Sequence, residues 1–226
     1  MMETEPTTRA VVSEGDGQNI GHAGDIARTV YDEDRDRIAI YGILSSALEA
    51  APTREWLDVV AGLSGDDSAL GAAIGGLARA AAQADEASLR REYHDLFIGV
   101  GRGEFVPYGS YYLTGFLNEK PLALLRQDMR RFGIERDPQV KEPEDHIAAE
   151  CQMMAGLIEG TFGDGAPDAA ARFFRAHLAT WAPYFFKDLE ASETGRLYPA
   201  LGRLGRVFME LEEQADALFE SRHDAG

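Results

Sequence analysis

Glu142-Pro143-Glu144-Asp145-His146 opens a segment in which Ile147, Cys151, Met154 and Ile158 recur at helical spacing. That period gives a helix one apolar face. Pro143 suits a first turn, because its missing N–H would be unpaired there anyway. Glu144 and Asp145 then fall beside the positive end of the helix dipole, where carboxylates are favoured. His146 and Glu150 lie four residues apart and are neighbours on another face. Upstream, Tyr93-His94-Asp95-Leu96-Phe97 closes a helix and runs into Ile98–Gly109, a loop with four glycines and a proline. It leads into Pro107-Tyr108-Gly109-Ser110-Tyr111-Tyr112.

Working outward, the periodicity predicts further helices. One runs over Asp32–Glu49 with Ile38, Tyr41, Leu44 and Leu48. The next is capped by Thr53 and carries Trp56, Leu57 and Val60. A third starts at Asp66 or Asp67, weakened by Gly71, Gly75 and Gly76 at up to ~1 kcal/mol each. A fourth opens at Asp85 or Ser88. Pro121 starts a helix that Gly133 ends in the left-handed conformation. The Glu142 helix is expected to end near Phe162-Gly163. Pro167-Asp168 leads into Phe173, Phe174, His177, Leu178 and Trp181, with a break at Pro183. The last helix spans Leu197–Phe219. No stretch alternates with period two for long enough to form a strand. The expectation is an all-α protein: a polar, disordered acidic arm over residues 1–30, then a single compact helical bundle over 31–226.

Composition narrows the function classes. The 226 residues, 45% hydrophobic, suffice for one substantial core. A net charge of −17 argues against nucleic acid or an anionic membrane as partner and favours a basic one. Cys151 is the single cysteine, so an intramolecular disulfide framework is excluded, and its apolar face makes it a core residue. No apolar run reaches the ~18 residues of a spanning helix, and no secretory signal opens the chain; the expected compartment is the cytoplasm.

Four groups of residues bear on candidate chemistry. His94, Asp145, His146 and Glu150 offer ligand types for a helical metal-dependent hydrolase, but the chain has no His-Glu-x-x-His pair to fix their geometry. Gly99-x-Gly101-x-Gly103 follows a helix rather than a strand and lacks the Gly-Lys-Ser/Thr ending of a phosphate loop. His177, among aromatic residues, reads as a buried and satisfied ring. Tyr108, Tyr111, Tyr112 and Phe116, beside the glycine loop, suit either a core or a peptide groove.

Taken together, Tyr93-His94-Asp95-Leu96-Phe97, Pro107-Tyr108-Gly109-Ser110-Tyr111-Tyr112-Leu113, Phe132-Gly133-Ile134, Glu142-Pro143-Glu144-Asp145-His146-Ile147 and His177-Leu178-x-x-Trp181-x-Pro183 with Tyr198 resemble the TorD/DmsD family of redox-enzyme maturation chaperones. The resemblance covers about Asp32 to Phe219. It departs at Gly109, where many members carry Glu. It implies a small all-helical cytoplasmic chaperone, without enzymatic activity, cofactor or metal. Such a protein binds the precursor of a molybdenum-cofactor oxidoreductase, of formate dehydrogenase or sulfoxide/N-oxide reductase type, often at its twin-arginine leader, and assists cofactor insertion before export or assembly. Asp145 and His146 match positions implicated in client binding. Tyr93, Leu96, Phe97, Pro107, Ser110 and Tyr112 match positions that shape the adjoining groove, and Glu142 opens the signature. Carboxylates there suit guanidinium groups and the apolar residues suit a leader's hydrophobic part. A monomer or a homodimer fits equally.

Overall fold

The structure is a computed structural model and describes residues 23–163, 166 and 168–223. The chain divides into two units, Met1–Glu33 and Asp34–Gly226, and the second contains the core and both motif segments. Of the expected arm, residues 1–22 lie outside the described residues, and the first helix is assigned from Ala23 rather than Asp32.

Ten α-helices are assigned among the described residues: α1 (Ala23–Glu49), α2 (Arg54–Ala61), α3 (Ala69–Gln83), α4 (Glu86–Tyr93), α5 (Gly109–Thr114), α6 (Lys120–Arg131), α7 (Ile147–Glu159), α8 (Ala169–Ala176), α9 (Ala182–Glu190) and α10 (Leu197–His223), with a π-helical turn, His94–Ile98, continuing α4. The all-α expectation holds, and the one strand-like pairing among these residues is an isolated antiparallel bridge between Tyr108 and His146.

Local chemistry sets most of the boundaries. Thr53 and Asp85 cap α2 and α4 by accepting the N–H of Trp56 and Ser88. Ser68 caps α3, not Asp66 or Asp67; the Asp66 carboxylate instead takes the Ser68 N–H and hydroxyl, positioning the cap. Beyond α6, Gly133 turns left-handed at φ +67° and Ile134 N–H returns to Met129 O at 2.8 Å. That is the bond expected of a glycine-terminated helix. Pro183 breaks the α8–α9 region as expected, with a single 3₁₀ turn, Leu178–Thr180, between the two helices. α7 ends at Glu159, before the expected Phe162, because Gly160 takes the left-handed conformation.

The apolar stripes meet in one core. Helix α10 packs on α9 and α3, and α2 on α3. Tyr41, Phe173, Trp181, Phe185, Phe186 and Tyr198 are all fully buried. Side chains of this size contribute on the order of 1.5–3 kcal/mol each. Their polar atoms are answered: Tyr198 Oη donates to Ala47 O at 2.9 Å, and Tyr41 Oη to Glu212 Oε2 at 3.0 Å. Arg37 grips the same Glu212 carboxylate through two bonds, of 2.7 and 2.8 Å. Ser45 Oγ donates to Ala148 O at 2.9 Å, so α1 holds the start of α7.

Small residues separate two kinds of glycine. A Cβ on Gly202 would stand 2.4 Å from Glu190 N, because α9 and α10 touch backbone to backbone there. One on Gly76 would meet nothing closer than the Arg79 guanidinium at 3.9 Å. We expect Gly76→Ala to stabilise by up to ~1 kcal/mol, the ordinary helix effect. Gly202→Ala should instead lower the melting temperature, since α9 and α10 must move apart. Thermal denaturation of both variants checks the contrast; a Gly202→Ala protein that melts as high as the natural one would mean that α9 and α10 are not in backbone contact.

Candidate functional site

The site forms where the two motif segments meet. Tyr108 and His146 pair as the bridge, with Gly109 N–H donating to Asp145 O at 2.8 Å and Ile147 N–H to Pro107 O at 2.9 Å. A third bond runs from Ser110 N–H to Asp145 Oδ2 at 2.7 Å, so the Asp145 side chain caps α5 from the opposite segment. This pairing also moves the start of α7. His146 is held extended at ψ 137° and becomes the N-cap, while Pro143 to His146 form a turn closed by His146 N–H to Pro143 O at 3.1 Å. Pro143, Glu144 and Asp145 therefore precede the helix rather than filling its first turn, a correction to the sequence expectation. A residue committed to a bridge cannot also take helical torsions.

Each expected site residue has a definite place. Tyr93, Phe97, Pro107, Tyr108, Glu142 and His146 line one cleft of about 650 Å³. Leu96, Ser110 and Asp145 are buried, the last two within the joint itself, and Tyr112 stacks on Trp181 and Phe185, at 5.5 and 5.8 Å between centroids. The cleft floor is apolar, with Phe105, Met129, Ile134, Met153 and Phe162. Its rim carries four exposed carboxylates: Glu49, Glu135, Asp137 and Glu142.

The two arginines that line it are already engaged. Arg102 donates to Tyr111 Oη at 2.6 Å and lies over that ring, and Arg136 donates to Val140 O at 2.7 Å. Glu142 accepts from the Tyr108 hydroxyl, whose ionisation is suppressed by burial and by this carboxylate. Tyr93 donates to Glu49 O at 3.0 Å, and Gln152 to Glu49 Oε2 at 3.1 Å. Glu49, Arg136, Gln152 and Met153 carry no mark in the sequence; the docking of α1 and α7 brings Glu49, Gln152 and Met153 to the 93–109 segment, and the connection after α6 brings Arg136.

Beneath the rim the electrostatics are structural. Glu144 is buried and would be raised by desolvation, but two bonds from Arg126 (2.7 and 3.0 Å) and the nearby Arg136 leave it below its ordinary value. His146 Nδ1 accepts the Ala148 N–H at 3.2 Å, and burial lowers the ring to about 4 despite Glu142 and Asp145. Glu150 accepts from Trp181 Nε1 at 3.2 Å; burial pushes its carboxyl well above the usual range, the indole bond opposes this, and Asp145 adds to it. A Cβ on Gly109 would stand 2.9 Å from Trp181 Nε1 and 3.3 Å from Glu150 Oε1, so this backbone lies against that pair.

The hydrolase alternative finds no support in this geometry. His94 is exposed against Asp95, Glu150 is spent on Trp181, and among the described residues no three His, Cys, Asp or Glu side chains come together as ligands. His177 is buried, with Nε2 at 3.1 Å from Asp128 Oδ2.

A helical bundle with an acid-rimmed apolar cleft and no assembled ligand set among the described residues has the build of a binding protein. The family model described as nitrate reductase delta subunit matches residues 64–187. The chain belongs to this family, that of the TorD/DmsD maturation chaperones. It is 31% identical to the Vibrio cholerae chaperone protein TorD, over 60% of this chain and 66% of that protein, slightly under two thirds of its length. A match to the Vibrio atlanticus chaperone protein TorD, at 28% identity, covers 79% of this chain and 93% of the relative. A Haemophilus influenzae protein described as a Tat proofreading chaperone, DmsD, is 32% identical over 52% of this chain and 56% of its own. In fold, the chain matches a crystal structure of an Archaeoglobus fulgidus protein described as a redox enzyme maturation protein, with TM-score 0.53 and 24% identity over 77% of this chain and 93% of that one.

The buried Glu150 makes a pH prediction. Its folded-state value lies above the unfolded 4.5, so the folded protein keeps a proton that the unfolded chain releases. Its contribution is fully present below about 4.5 and is lost as pH rises toward the folded value. Glu150→Gln keeps an acceptor for Trp181 without this loss. We expect the variant to match the natural protein near pH 4.5 and to melt higher at pH 8. His146 is present in both proteins and cancels in the comparison. A variant less stable at pH 8 would mean that Glu150 is ionised and needed so.

Proposed function

We propose that this protein is a maturation chaperone that holds the precursor of a molybdenum-cofactor oxidoreductase through a basic, apolar segment, its twin-arginine leader, lodged in the cleft. It acts before cofactor insertion and export or assembly are complete, in the cytoplasm. The observation that carries this reading is the cleft itself: an apolar floor ringed by four carboxylates, with its own arginines engaged elsewhere. A guanidinium finds carboxylate acceptors at such a rim, and a hydrophobic stretch finds a floor. Tyr93, Phe97, Pro107, Tyr108, Glu142 and His146 meet the client; Leu96, Ser110, Tyr112 and Asp145 hold the cleft in shape. Family membership favours the same partner class, since relatives are named as TorD and as a Tat proofreading chaperone.

The test is capture of partners from native cells on the natural protein, read by mass spectrometry, alongside titration of a fluorescein-labelled peptide with two adjacent arginines and an apolar stretch. A molybdoenzyme precursor should be enriched, and the peptide should bind less tightly as salt rises. Glu142→Gln should weaken the peptide about 2- to 5-fold, the scale of a solvent-exposed charge pair, and flatten the salt dependence. Asp145→Ala should behave differently. It strips the acceptor from a buried N–H and costs about 1–3 kcal/mol of stability, with affinity nearly unchanged while the protein is folded. No binding by the natural protein, or a loss of affinity confined to Asp145→Ala, would overturn the assignment.

A further inference from the structure

Building on the cleft as the client site, we infer that His146 acts there as a neutral hydrogen-bond donor, through Nε2–H, to a main-chain carbonyl of the bound segment. Three observations carry this. Nδ1 is occupied as an acceptor by the Ala148 N–H at 3.2 Å, which places the ring proton on Nε2. The ring lines the cleft wall and rests edge-on against Tyr108, 5.0 Å between centroids. Nε2 meets no partner among the described residues, yet it is not among the side-chain atoms sealed from solvent without one. The donor is fixed in direction by a helix cap and open on the cleft side.

Charge selects the acceptor. Glu142 and Asp145 both act on this ring, and the rim adds Glu49, Glu135 and Asp137, so a phosphate or carboxylate would be repelled. A neutral carbonyl is not. Side-chain amides offer one as well, but a peptide in the cleft brings a main-chain carbonyl at every residue. Carbonyls inside a regular helix are already bonded four residues on. The bound segment therefore passes His146 extended, or ends a helix there. This gives the site a preference for conformation, separate from the preference of the rim for positive charge.

Two substitutions divide the duties of the ring. His146→Asn places an amide oxygen where Nδ1 stands and keeps a strong cap, but it removes the reach of Nε2. His146→Gln places an amide N–H where Nε2 stands and loses the cap. With the same fluorescein-labelled diarginine peptide, His146→Asn should melt like the natural protein and bind about 3- to 10-fold more weakly, the net effect of one neutral hydrogen bond. His146→Gln should melt lower, yet bind within about 3-fold of the natural protein at a temperature where it is folded. Full affinity in His146→Asn, or equal losses in both variants, would overturn the donor role while leaving the cleft assignment intact. Failure of the natural protein to bind would remove both.

Discussion

The wall that the motif residues give the cleft depends on the short antiparallel pairing of Pro107–Ser110 with Asp145–Ile147. Two main-chain bonds and the Asp145 carboxylate on Ser110 N–H join stretches that lie 35 residues apart in the chain. Without them the turn at Pro143 would have no reason to stop short of α7, and α5 would start with an unanswered N–H. Buried N–H groups left without a partner cost about 1–3 kcal/mol each. The joint is thus both a support of the cleft wall and the device that decides which signature residues face it. Asp145 and Ser110 turn inward; Tyr108 and His146, on the bridge itself, remain at the wall.

The packing around the joint explains its rigidity. Gly109 lies against the Trp181 indole and the Glu150 carboxyl, so a side chain at 109 would displace one of them. In the sequence this position shows only as a departure from the family pattern, where Glu is common. Here the carboxyl that contacts Trp181 is that of Glu150, from α7. Glu150, by spacing a neighbour of His146 and a potential ligand, is fully engaged in that contact.

Much of the fold is legible in the sequence because its signals are local. Thr53, Asp85, Pro121, Gly133 and Pro183 each act within a few residues of themselves, and the apolar stripes that contain Leu44, Leu77, Cys151 and Leu201 all reach the core. The start of α7 is not legible, for a non-local reason. Proline followed by two acids is a good helix opening, and nothing near it reveals that His146 is paired with Tyr108. The candidate site is legible in its motif residues but not in its division of labour. Asp145 and His146 are adjacent in the sequence, yet one is sealed in the joint and the other borders the cleft. Glu49 and Gln152 are illegible, since their role arises only when α1 docks on α7.

That division has a consequence for recognition. Carboxylates at an exposed rim attract a basic segment over a distance set by salt, about 8 Å at physiological ionic strength, and impose little geometry. A half-buried neutral donor at the cleft wall has no such reach but a fixed direction. In the binding mode proposed above, the two would act on different properties of one partner: the rim on its charge, His146 on its backbone. His146 can supply a fixed direction only because its other nitrogen caps α7, and the cap holds only while the ring is neutral. The burial that keeps its proton affinity low is therefore what makes it both a cap and a donor. A lysine or arginine at this position would offer a donor to the cleft but no acceptor to Ala148, and α7 would lose its start.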